Sequence, residues 1–541
     1  MTIQAPATFT ETQDEILQAV SSLHFEDSLL YLNHVLGVSR GMPGGKILRS
    51  LIRLSVSPRM AHIAHSVARY LIVSSVDTGG KSMGWYDYQR ISRLITSLDD
   101  AITHDKEWCR KNPTGFLERL MSLQLDPQLR HGSLVQRVGL ALGLFRDVGM
   151  TEGNTPYDLQ AEIENILGVS VVDFISMGLV VFNTQAANYL GSGCSGTIAF
   201  QPQVGDSHRE HSISTRDKWV PFLSRVSAQR DTLRRLTSQP EYDVCHPDTL
   251  KSLNIDQSPL LYLPYSFNPL WRKPIVDLGE GRYIAPDPEL IVERVTFGLF
   301  YDGFEQHRTM FATRYGTAFE KFVGQLLSCL EQNYKVQSTG KWLLASGTAG
   351  GANKKLADWL VQGTEQTVIL ETKSIRASLH LKTYGAEASV EHLNRRLADA
   401  VEQIIISRNR IQAGEWVNEG IRQQDCLGVI VSYGKIHTAN SLSVRKRVNG
   451  KIIERGFIPI PYVVLSIEEL DTVIHLVEIG MPFDSLIGEL ASIDGSVDPL
   501  RHYFKVNPYL ELGSCSFIRD KANAFLDAFN HQKPNGSCPA S

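Results

Sequence analysis

The sequence predicts a multidomain α+β/α/β protein, a mainly helical N-terminal half followed by an α-β-β-β-α-β core. Three observations lead there. The chain has 541 residues, too many for one ordinary hydrophobic core, and such a length implies roughly two to four domains. Segments of residues 13–150, such as DEILQAVSSLHFEDSLLYLNHVL and RISRLITSLDDAI, repeat apolar positions at helical spacing between Gly and Pro breaks. From residue 311 onward, short apolar runs alternate with long segments of helical periodicity.

Taken in order, these signals divide the chain at residues 1–150, 151–310, 311–480 and 481–541. The first segment is a helical domain. The second mixes helices with the apolar run 178–182 and the Pro-rich stretch SPLLYLPYSFNPLWRKPIVDLGEGRYIAPDPELIVERV, a loop-and-strand lead-in to a helix. The third opens on RYGTAFEKFVGQLLSCL, where Phe319, Phe322, Val323, Leu326, Leu327 and Leu330 share a helical face. Glu320 interrupts that face and is turned toward whatever the helix packs on, so it needs a partner there. Trp342, Leu343 and Leu344 supply a first strand, and GTAGGANKK its turn. LADWLV and TVILETK follow as two more strands joined by the turn residues GTEQ.

A basic irregular connection carrying Arg376, His380 and Lys382 leads into SVEHLNRRLADAVEQIIISRNRI. There Leu393, Leu397, Val401, Ile404 and Ile411 form one stripe of a helix, with Gln403 at its flank. Residues 427–432 are an apolar strand, and 458–465 another, whose prolines push its start to a sheet edge. Ser466 and Glu469 form a capping box that opens a helix through Val473 and Leu476. The last segment, 481–541, is a helical extension.

The chemistry concentrates in LADWLVQGTEQTVILETKS. Successive strand residues point to opposite faces, so Ile369, Glu371 and Lys373 share one face, and on the preceding run Asp358 and Leu360 share one. Pairing the two runs sets Asp358 beside Glu371. Two neighbouring carboxylates repel unless a positive charge lies between them, and hard oxygen ligands suit Mg2+. Lys373 is then placed to orient a water or neutralise charge on a phosphate. The alternative for the same residues is an antiparallel sheet whose polar face is solvated and holds no metal.

The order Glu320 on a helix, Asp358 on a strand and Glu371-Thr372-Lys373 on the next strand resembles the PD-(D/E)XK nuclease superfamily over roughly residues 311–480. That superfamily includes many restriction endonucleases and RecB-type nuclease domains. The resemblance implies a restriction-endonuclease-like core with a mixed central sheet. It further implies Asp358 and Glu371 as ligands of Mg2+ or Mn2+, Glu320 as support of the metal site, and Lys373 as the assistant of the attacking water. Some RecB-like relatives carry a glutamine near the active site, a place that falls to Gln403. Ala357 stands where the family has its nominal proline, a residue that ligates nothing. The implied activity is metal-dependent hydrolysis of DNA, in bacterial restriction or anti-phage defence, with the N-terminal half supplying targeting or regulation. A DNA-binding or sensing scaffold that uses the fold for recognition alone is the alternative of a different class.

Composition frames this expectation. A 43% hydrophobic, 21% charged chain is globular in type, and the net charge of −4 excludes a globally basic nucleic-acid binder. Residues 311–480 differ, with 20 Lys and Arg against 17 Asp and Glu. Arg445, Lys446, Arg447, Lys451 and Arg455 surround Asn449-Gly450, which reads as a basic hairpin or loop, either gripping a phosphate backbone or merely solvated. With Arg376 and Lys382 these are the candidate nucleic-acid contacts. The expected partners are DNA and, through the N-terminal half, a second copy of the chain or another protein.

Seven cysteines without a C-x-x-C pair argue against a disulfide framework or a zinc ribbon, and fit a reducing cytoplasm. Neither a signal peptide nor a membrane-length apolar run is legible. DTGGKS at 77–82 resembles a phosphate loop but has Ser75 where its first glycine belongs, and GMPGGK at 41–46 has Arg40 there and Ile47 in place of the hydroxyl. His62 with His65 and His208 with His211 are spaced for one helix face but have no third ligand nearby, so they read as surface or core histidines.

Overall fold

The computed structural model describes residues 7–39, 59–104, 133–152, 155–187, 216–238, 268–339, 356–374, 387–436, 438–493 and 496–531. The protein is a mixed α/β molecule, mainly helical in its N-terminal region, with mixed sheets of three and five strands. It divides into two compact units. One comprises Met1–His131, Glu164–Leu299 and Leu379–Ala386, and the other Gly132–Ile163, Phe300–Ser378 and Glu387–Ser541.

In the first unit the helices Ala7–Ser21, Phe25–Ser39, Arg59–Ser74 and Trp85–His104 bury Ile16, Val20, Leu29, Val67, Leu71 and Ile91 in one core. Arg230 closes the end of helix Arg59–Ser74, donating to the carbonyls of Ile72 (3.0 Å), Leu71 (3.1 Å) and Ser75. Those C-terminal carbonyls have no partner within the helix, and a guanidinium satisfies them while matching the negative helix end. The phosphate-loop look-alike is part of this joint: Asp77 pairs with Arg230 and Lys81 with Asp87 at 2.6 Å. Residues 41–46 and the pair His208 and His211 lie outside the described residues. His62 and His65 are both buried, and His65 Nε2 lies 2.6 Å from Asp287 Oδ2, so this pair belongs to the core. The apolar run 178–182 is helical, inside Val171–Ala187. The Pro-rich lead-in contains strand Ile275–Gly279, parallel to Ser227–Gln229 and antiparallel to Arg282–Ile284, and then helix Glu289–Val295.

The second unit is built on α1 (Leu299–Leu327), β1 (Lys335–Ser338), β2 (Trp359–Gln362), β3 (Gln366–Lys373), α2 (Glu387–Gln412), β4 (Asp425–Ser432), α3 (Leu442–Glu454), β5 (Tyr462–Ser466), α4 (Ile467–Glu478), α5 (Phe483–Ser492) and α6 (Ser516–His531). Its sheet runs in the order β5-β4-β3-β2-β1. β1 to β3 are antiparallel neighbours and β3 to β5 parallel ones. Connection length decides this: the Gly363 N–H bonds Gln366 O at 2.9 Å in a tight turn, whereas α2 and α3 supply the crossovers that parallel neighbours require.

Both faces of the sheet are covered, which is why β4 is apolar from Cys426 to Val431 and buried from Cys426 to Ser432. α2 covers one face, close enough that a Cβ on Gly428 would lie 3.2 Å from Ile404. α5 covers the other, where Gly488 faces Leu427. α1 packs on Trp359 at Gly324, where a Cβ would lie 2.2 Å from the indole, so only glycine permits this approach.

The strand antiparallel to β2 is Lys335–Ser338, and the strand expected at residues 342–344 lies outside the described residues. One expectation for this unit is corrected. The basic segment at 445–455 is helix α3, not a hairpin. Ser441 caps it by accepting from Val444 N–H, and Val444, Val448 and Ile452 at helical spacing bury one face, which outweighs the Asn449-Gly450 turn signal.

β5 is an edge strand that begins just after Pro461, and the Ser466–Glu469 capping box opens α4. The helical extension is integral to this unit, as is helix Leu134–Leu142: Gln136 donates to Asp471 Oδ2 (2.7 Å) and Glu468 O (2.9 Å), and Gly139 lies against Ile518 of α6. Among the described residues no single helix is long and apolar enough to cross a membrane. One bent pair, Leu159–Leu167 with Val171–Gln185, meets that test only jointly and breaks by 52°.

Candidate functional site

β2 and β3 pair with Trp359 opposite Leu370 and Leu360 opposite Ile369, and the same register carried one step further sets Asp358 opposite Glu371. The chain just before β2 is tied down on every side. Gln403 Nε2 donates to Leu356 O (3.1 Å), Ser407 Oγ accepts from Ala357 N–H (3.0 Å), the Thr339 hydroxyl donates to Ala357 O, and Thr339 N–H donates to Asp358 O (3.0 Å). Asp358 itself is held by β3, its Oδ2 accepting from the N–H (2.7 Å) and the hydroxyl of Thr372. These contacts fix a carboxylate that a flexible chain end would leave free to rotate.

Glu371 is 1% exposed, which removes the solvated-sheet alternative. Its Oε1 accepts from Lys373 Nζ, and its Oε2 is buried without a hydrogen-bond partner. Lys373 also donates to Gln403 Oε1 at 2.7 Å, so one side chain of α2 positions both the ammonium and the lead-in to Asp358. Glu320, half-buried on α1, is close enough to feel both Asp358 and Lys373. The site thus gathers Glu320, Asp358, Glu371, Lys373 and Gln403.

The electrostatics follow from three carboxyls facing one ammonium. Burial, then the charge of Asp358, pushes the Glu371 carboxyl up to about 8 despite its contact with Lys373. Burial and Asp358 likewise push Glu320 up to about 7. Each carboxyl would ionise at lower pH if a cation offset its neighbours. A buried carboxylate oxygen with no donor is costly unless something completes it. Hard oxygen donors that raise one another's pKa are of the type that Mg2+ or Mn2+ takes.

The candidate nucleic-acid contacts fare differently. Arg376 and Lys382 lie outside the described residues. Arg445 is buried, donates to Ala491 O (3.0 Å) and stands over the Tyr462 ring. Lys451 pairs with Glu391 at 2.6 Å, and Arg455 with Asp399 and Glu402, so these cations tie α3 to α2. Lys446 is exposed and Arg447 partly so.

Thr372, Ser407 and Thr339 are the site residues that sequence reasoning missed. Ser407 follows Gln403 by one helical turn and breaks the apolar stripe, a signal that was present, whereas nothing local distinguished the two threonines. No protein-family model matches this chain and no curated protein matches it in sequence, so the site stands on its geometry alone.

Proposed function

We propose that this protein is a Mg2+-dependent nuclease that hydrolyses DNA phosphodiester bonds, with a restriction-endonuclease-like core of the PD-(D/E)XK type formed by α1, β1 to β5 and α2. One observation carries the reading: Glu371, buried with an unpartnered oxygen, sits beside Asp358, Glu320 and a lysine held by two side chains. Asp358, Glu371 and Glu320 would hold the ion, which supplies Lewis-acid stabilisation of charge on a phosphodiester.

The remaining work falls to the chain's own groups. Lys373, clamped between Glu371 and Gln403, presents its ammonium to orient the attacking water and to neutralise developing charge. Thr372 keeps Asp358 in register, and Ser407 and Gln403 keep the α2 scaffold against it. Such preorganisation matters because catalytic groups act only within narrow tolerances of position. A role in restriction or anti-phage defence in the cytoplasm, with the N-terminal unit choosing the target, completes the proposal.

The test is a substrate panel. Purified protein is incubated with linear, circular and single-stranded DNA and with RNA, in Mg2+, Mn2+ or EDTA. Cleavage of DNA that stops in EDTA supports the reading. No cleavage of any DNA with either metal would favour a recognition scaffold, and cleavage that persists in EDTA would refute the metal assignment.

A further inference from the structure

A second cluster lies in the same unit, apart from the residues just described. Cys329 sits in the 3-10 turn Ser328–Leu330 that follows α1, Glu478 ends α4, and Cys515 immediately precedes α6. Their two sulfurs and one carboxylate oxygen all lie within 4.8 Å of one another. Cys515 is buried, Cys329 half-buried and Glu478 exposed, so the cluster opens to solvent on the glutamate side.

The surroundings act on the two sulfurs in opposite directions. Phe517 N–H donates to Cys329 and Ile518 N–H to Cys515, both from the first turn of the 16-residue helix α6. The hydrogen bond from Cys515 draws the Cys329 thiol down, while the same contact, burial and Asp471 push the Cys515 thiol up. Glu478 and Asp471 add negative charge beside the pair. Glu478 already accepts from Ser516 N–H (3.0 and 2.9 Å) and the Ser516 hydroxyl (2.6 Å). An ionised carboxylate has about four acceptor sites, so one remains.

We infer that Cys329, Cys515 and Glu478 form a binding site for a thiophilic divalent cation, zinc in the first instance. Ligand type separates this site from the oxygen-only cluster of Glu320, Asp358 and Glu371: thiolates select zinc, carboxylates alone select magnesium. Size agrees, since tetrahedral bonds of about 2.3 Å to sulfur set two sulfurs about 3.8 Å apart, inside the spread seen here. Binding as thiolates releases the thiol protons to solvent and leaves the fourth position to water on the open side. It joins the end of α1, the end of α4 and the start of α6, three places far apart in sequence.

Cobalt titration of the full chain tests this, because sulfur ligation gives Co2+ an intense ligand-to-metal charge-transfer band that oxygen ligation does not. Protein prepared in reductant and stripped with EDTA should bind one equivalent with that band and tetrahedral visible absorption, and Zn2+ should displace it. Cys329→Ser should abolish the band. Glu478→Gln, an exposed change that leaves the circular dichroism spectrum intact, should weaken Co2+ binding by at least about tenfold. Absence of the band in wild-type protein with its thiols shown to be reduced would overturn the site, as would its persistence in Cys329→Ser. Recovery of a Cys329–Cys515 disulfide in place of metal binding would also overturn it. None of these outcomes depends on nuclease activity.

Discussion

Glu371 carries a carboxyl that folding alone disfavours. Its ordinary value is 4.5, and burial beside Asp358 moves it to about 8. The folded protein therefore holds a proton that the unfolded chain releases, and between those values the unfolded state binds fewer protons. Stability must fall as pH rises through that window. In EDTA we expect the melting temperature to decline from about pH 5 to pH 8, with Glu320, pushed to about 7, adding to the slope. Glu371→Gln should flatten that decline and stabilise the metal-free protein at pH 8 by on the order of 1–3 kcal/mol, while Mg2+ restores the wild type only. Melting curves at several pH values check this, and a wild-type slope no steeper than that of Glu371→Gln would contradict it. At this scale the acidic and basic residues were legible because strand alternation fixes which side chains share a face. Thr372 and Thr339 were not, because their partners lie 14 and 18 residues away and a lone hydroxyl carries no periodicity.

Among elements, α1 positions Glu320 by packing Gly324 onto Trp359. Gly324→Leu would force that helix off the sheet and take Glu320 with it. We expect a loss of stability of about 3 kcal/mol or more and a matching loss of metal-dependent melting shift, measured by denaturant unfolding and thermal shift. Wild-type stability in that variant would mean α1 does not pack there. The element order around the site was readable because each apolar stripe had its own period. The segment 445–455 misled because Arg, Lys and Asn-Gly suggested a turn, whereas three buried aliphatics and a serine cap make it a helix. Of its cations, Lys451 and Arg455 tie α3 to α2, while Lys446 is exposed.

For the whole molecule, the boundary at residue 311 was the least legible feature. Sequence places residues 132–163 in the N-terminal half, yet they fold with the unit that carries the site. Gln136 completes the hydrogen bonding of the buried Asp471, and Lys521 of α6 pairs with Asp147 at 2.5 Å. Contacts of this range leave no local pattern in a single sequence. A fragment of residues 311–541 should accordingly be insoluble or melt well below one in which 132–163 and 300–541 are joined. Equal melting temperatures would show the upstream helix to be dispensable.

On the proposed function, Lys373 and its carboxylate neighbours form one metal-dependent hydrolytic site. Single-turnover cleavage of DNA by wild type and Lys373→Ala at saturating Mg2+, with the Mg2+-induced melting shift recorded for both, tests it most directly. The variant should cleave about 100-fold or more slowly, with the melting shift retained. Cleavage by Lys373→Ala at the wild-type rate would contradict it.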